Sequence, residues 1–177
     1  MIEFRTVELV IATRKLDGAE KEMAHLDAFL AEKPFETQSL PMRWAASMTV
    51  ATAIHNVYIG LEDVMKAVCK AVDGHVPDGA TSHQDILDQL SVPRKDIRPA
   101  VLGQALFDDL CQLKRFRHRV NHNYANELRE DKTLENLTLI KRVMPVFLDA
   151  IRQLDDHLSP EPKSAENDET QTFGVKD

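Results

Sequence analysis

The chain has 177 residues, 43% of them hydrophobic and 29% charged, with 22 Lys and Arg against 29 Asp and Glu for a formal net charge of −7. This composition suits one soluble domain, which at this size buries roughly 70% of the surface that its unfolded chain exposes. It excludes a membrane span, since no apolar run approaches ~20 residues, and a general nucleic-acid coat, which needs broad positive charge. A local basic site on an acidic body stays open.

In chain order, the first predicted helix covers residues 3–32, with Val7, Val10, Ile11, Met23, Leu26, Phe29 and Leu30 at spacings of three and four. Gly18 is expected to bend or break it, and Pro34 to end it. The second helix is expected from about Pro41 to Val72, its apolar stripe running through Trp44, Met48, Ala51, Ile54, Tyr58, Leu61, Met65 and Val68. Small residues in its first half invite close approach by another helix. His55, Asn56 and Glu62 read as satisfied polar groups or a solvated face. Asp73-Gly74 stops this helix, and Thr81 or Ser82 is placed to cap a short one at 83–91. Pro93 and Pro99 bound a connection.

A fourth helix is expected from 101 to about 124, with Leu102, Leu106, Leu110, Leu113 and Phe116 facing inward, followed by a mixed-charge turn at Asn126–Asp131. The fifth spans about 133–157 and is kinked at Pro145. Residues 159–177 carry two prolines and five acids and read as a disordered acidic tail after a helical domain at 1–158. The predicted architecture is an all-α bundle of about five helices without a sheet. Cys69 and Cys111 lie in apolar helical patterns and read as small buried hydrophobes, not as a disulfide or metal ligands. With no secretory signal at the N-terminus, this usage fits the cytoplasm.

The chemistry concentrates in Arg117-His118-Arg119-Val120-Asn121-His122-Asn123-Tyr124, preceded by Lys114 and Arg115, with no acid between Lys114 and Tyr124. His118 and His122 share a helix face at i, i+4, as a zinc pair would. However, Arg119 stands where a metalloprotease carries its glutamate, and no further ligands complete a site. A basic helix end favoured by the helix dipole explains Lys114, Arg115 and Arg119. It explains less well the histidine, asparagines and tyrosine that follow.

The remaining alternative is phosphodiester cleavage in RNA. A histidine takes and gives a proton near neutrality, and an arginine stabilises charge on the phosphoryl oxygens. The nucleophile is the RNA's own 2′-hydroxyl, so the chemistry requires neither metal nor cofactor. On one helix Arg117 and His122 point ~140° apart. Two copies facing across a two-fold axis would aim them better at one phosphate.

Arg117-x4-His122-x-Tyr124, with Phe116-Arg117-His118 before it, resembles the signature of HepT-like toxins in the HEPN superfamily. The resemblance extends over about residues 40–155 through a Tyr58…Glu62 pair, Asp73-Gly74, His83 and Arg98-Pro99. It implies a dimerising HEPN-type helical bundle and a metal-independent endoribonuclease, with Arg117 and His122 catalytic and Asn121 assisting. Lys114, Arg115, His118 and Arg119 are expected to bind RNA. The resemblance further implies an MntA-like nucleotidyltransferase antitoxin as partner, which silences the site by AMPylation of Tyr124. The alternative within the same superfamily is an inactive binding module that docks the nucleotidyltransferase without cutting RNA.

Overall fold

The computed structural model describes Thr6 and residues 9–79, 81–121 and 129–159. Among these residues it contains five α-helices and no sheet: α1 (Val10–Ala31), α2 (Leu40–Ala71), α3 (Ser82–Ser91), α4 (Gln104–Asn121) and α5 (Glu130–Leu158). The all-α expectation is met.

Helix α2 is the spine and packs against each of the other four. Pro41 sits in its first turn, where a missing N–H costs nothing. Its inner face buries Val50, Ile54, Val57, Leu61, Val64, Met65 and Val68 completely or nearly so. Helix α3 adds Ile86, Leu87 and Leu90 to this core, while Leu110, Leu113 and Phe116 of α4 and Ile140, Val143, Phe147 and Ile151 of α5 close it. Gly74, at φ +69°, turns the chain after α2 through the left-handed region that glycine tolerates. Both cysteines are free and buried; burial, then the nearby Asp73 charge, pushes the Cys69 thiol up to about 12.

Several expectations are corrected. The first helix starts at Val10, not at residue 3. Thr6 lies in a bend, its N–H donated to Asp155 Oδ1 at 2.9 Å, so the chain before α1 is tied to the end of α5. Gly18 does not break α1: it is exposed, and Leu16 and Ala19 beside it are buried and hold the helix on the core. Val10 is 47% exposed and Trp44 58%, so neither belongs to the buried stripe.

Thr81 occupies the cap position of α3 without a side-chain cap bond; its hydroxyl donates to the Asp85 carboxylate instead, at 2.7 Å. Helix α4 starts at Gln104 because Val101 and Leu102 donate their N–H groups to Leu90 O and plug the core before the helix begins. Helix α5 starts at Glu130, which removes Glu130 and Asp131 from the expected turn. Both acids sit in its first turn, where the helix dipole favours them. The helix continues through Pro145 to Leu158. Residues 160–177, read above as tail, lie outside the described residues.

Candidate active site

Three helices meet around one buried carboxylate. Glu62 occupies the same face of α2 as Tyr58, one helical turn earlier, and is 2% exposed. A lone carboxylate at that depth is costly, and it is stable here because cationic and N–H groups surround it. His83, at the start of α3, bonds Glu62 Oε1 through Nδ1. Lys66, one turn further along α2, places Nζ 3.6 Å from Oε2. Arg117 of α4 brings Nη2 to 3.8 Å from the same oxygen, and its Nη1 donates to His83 Nε2 at 3.2 Å.

Tyr58 and His55 complete the α2 face. Burial first, and the Glu62 charge second, raise the Tyr58 hydroxyl well above the ordinary tyrosine range, so it stays protonated. Burial and then the Arg117 charge lower the His55 imidazole, which favours its neutral form. Among the described residues, Tyr58 Oη, His55 Nδ1 and Arg117 Nε are buried without a hydrogen-bond partner. A cluster of unsatisfied polar atoms beside a charged pair is uncommon in a purely structural core.

Arg117 opens onto a cleft of about 580 Å³ lined by Thr81, His83, Gln84, Lys114, Arg115, Arg117, His118 and Arg119. No acid is among these lining residues. Lys114 donates to Gln84 Oε1, and Gln84 in turn donates to Asp88 Oδ1 at 2.7 Å, which fixes the ammonium at the cleft wall. Arg115, His118 and Arg119 are exposed on the outer turns of α4. The cleft therefore combines a rigidly seated arginine with several outlying cations, an arrangement suited to a polyanion.

The sequence-predicted residues Lys114, Arg115, Arg117, His118 and Arg119 thus converge on one cleft. Asn121 is exposed at the last residue of α4, and His122 and Tyr124 lie outside the described residues. Sequence reasoning noted Glu62 and His83 as points of the family resemblance but did not place them in the site. The available signal was the i, i+4 step from Tyr58 to Glu62, which puts an acid on an apolar stripe.

Residues 49–158, from within α2 to the end of α5, match the family model described as HepT-like protein. The chain belongs to the HepT-like protein family. No curated protein and no solved structure matched the chain. The HepT-like match contains Glu62 and all the cleft residues named above, from residue 49 of α2 through α4, and leaves α1 outside. Among the described residues no helix is long and apolar enough to cross a membrane.

Proposed function

We propose that the chain is a metal-independent endoribonuclease of the toxin type. The substrate's 2′-hydroxyl attacks the adjacent phosphorus while a base takes its proton. The bond from phosphorus to the 5′-oxygen breaks, and that oxygen leaves with a proton supplied by an acid. The products are a 2′,3′-cyclic phosphate and a 5′-hydroxyl. His122 carries the proton transfers, Arg117 stabilises the charge on the phosphoryl oxygens, and Asn121 assists by hydrogen bonding. Lys114, Arg115, His118 and Arg119 bind flanking phosphates. Two copies of the chain form the complete cleft. An MntA-like nucleotidyltransferase antitoxin silences it by AMPylating Tyr124, which adds charge and bulk where the RNA phosphate should sit.

The observation that carries this reading is the seating of Arg117 on Glu62 and His83 at the wall of a basic cleft. Helix-dipole compensation alone accounts for exposed cations in a last turn, but not for an arginine held by residues of two other helices.

The test is cleavage of an RNA oligonucleotide by purified protein in excess EDTA. Cleavage is expected, with a drop of at least ~100-fold in Arg117→Ala and in His122→Ala. A deoxyribose at the cut nucleotide should stop it. Loss of wild-type cleavage under chelation would remove the metal-independent account, and wild-type rates in His122→Ala would remove the assignment of that residue. No cleavage by wild type, with AMPylation of the chain by its antitoxin intact, would favour the binding module.

A further inference from the structure

We infer that His83 is a positioning residue for Arg117, held by Glu62 as its Nδ1–H tautomer so that its Nε2 lone pair seats the guanidinium. The kinetic consequence rests on the ribonuclease reading above; the tautomer does not.

What each group can donate decides the tautomer. An arginine in a protein has N–H groups and no acceptor. The 3.2 Å contact from Arg117 Nη1 to His83 Nε2 therefore requires Nε2 to accept. At the opposite edge of the ring, Nδ1 meets the carboxylate of Glu62, which accepts, so Nδ1 must carry the proton. The other neutral tautomer would set N–H against N–H on the arginine side and lone pair against lone pair on the glutamate side. The doubly protonated ring would keep the first of those clashes. Only one of the three states satisfies both neighbours.

His83 is also the direct contact. Glu62 Oε2 lies 3.8 Å from Arg117 Nη2, beyond hydrogen-bond distance, so the buried carboxylate orients the guanidinium chiefly through the ring. The relay crosses α2, α3 and α4 and holds Nη1 of an arginine that lines the cleft. An arginine oriented in advance loses little freedom as charge builds on the phosphate, so the benefit falls on kcat more than on KM.

Two experiments on the full chain decide this. The first is ¹⁵N spectroscopy of imidazole-labelled protein, with His83 assigned by its absence in His83→Gln. A pyrrole-type Nδ1 and a pyridine-type Nε2 are expected; a pyrrole-type Nε2 overturns the inference. The second is RNA cleavage. His83→Ala should lower kcat about tenfold or more with KM little changed. His83→Gln should recover most of the loss, because its amide can donate to Glu62 and accept from Arg117. His83→Gln keeps a donor on the buried Glu62 carboxylate and should melt close to wild type, whereas His83→Ala removes it and should melt lower, so rates are compared at a temperature where both variants are folded. Wild-type kcat in His83→Ala overturns the positioning role, as does a folded His83→Gln no faster than His83→Ala. If wild type cuts no RNA, the ribonuclease reading fails while the nitrogen spectrum still decides the tautomer.

Discussion

Asp73 and Arg98 form the best-satisfied ion pair among the described residues. Arg98 is 2% exposed, and its Nε and Nη2 grip the two Asp73 oxygens at 2.8 and 2.7 Å. Its remaining N–H groups reach the carbonyls of Val92, Pro99 and Gln89, each at 3.0 Å. Burial acts to raise the Asp73 carboxyl, but hydrogen bonds from Arg98 and Gln89 and the charges of Arg98 and Arg94 outweigh it. The carboxyl is thus held below its ordinary value of 3.8. A carboxyl depressed on folding contributes stability that is fully present above the ordinary value and is lost as pH falls through the folded value. Asp73→Asn would leave the Arg98 charge buried and unpaired, at a cost of roughly 3–5 kcal/mol. Urea unfolding near neutral pH should show that loss, and the gap to wild type should narrow in acid. A loss under about 1 kcal/mol, the range of exposed pairs, would contradict the argument.

At the scale of elements, the contact of α1 with α2 depends on one missing side chain. A Cβ at Gly60 would stand 3.0 Å from Ala19 Cβ and 3.5 Å from the Lys15 carbonyl oxygen. Gly60→Ala exchanges a helix-propensity gain of roughly 0.5–1 kcal/mol against that tight approach and should be near neutral. Gly60→Leu has no such room and should cost about 1–3 kcal/mol by thermal or urea unfolding. Because none of the described cleft residues lies on α1, folded Gly60→Leu should cut RNA at the wild-type rate. Unchanged stability would mean that α1 can shift freely on α2. The sequence reading placed close approach at the small residues of the first half of α2, whereas the glycine at this tight contact lies in the second half, where spacing alone does not distinguish a contact from a gap.

For the whole molecule, a net charge of −7 coexists with a cleft whose described lining residues include Lys114, Arg115, Arg117 and Arg119 and no acid. On the ribonuclease reading proposed above, RNA is drawn to a restricted patch and repelled elsewhere, and its binding should have a shallow salt dependence set by few phosphate contacts. Each contacted phosphate of a single strand contributes a slope of about −0.7 in log K against log salt. Arg115→Ala and Arg119→Ala should each raise KM, leave kcat nearly unchanged, and flatten the slope by about that amount. A slope near zero in wild type, or unchanged KM in both variants, would remove RNA from this face.

Local sequence already determined the helices. The apolar period of α2, α4 and α5 depends only on the geometry of one helix, so Leu106, Leu110 and Phe147 were legible as core, and Arg117 as the centre of the motif. The errors lie where a partner decides. Trp44 fits the stripe but lies in the first turns of α2, where the packing leaves it 58% exposed. Val101 and Leu102 look helical but are spent on the Leu90 carbonyl. Glu62 and His83 are 21 residues apart, and His83 and Arg117 are 34 apart. No local pattern links them, because a hydrogen-bond relay belongs to the place where three helices meet. The sequence by itself determined which residues could do chemistry; the packing of α2, α3 and α4 decided which of them hold one another, since a buried charge is stable only where the fold brings its partners.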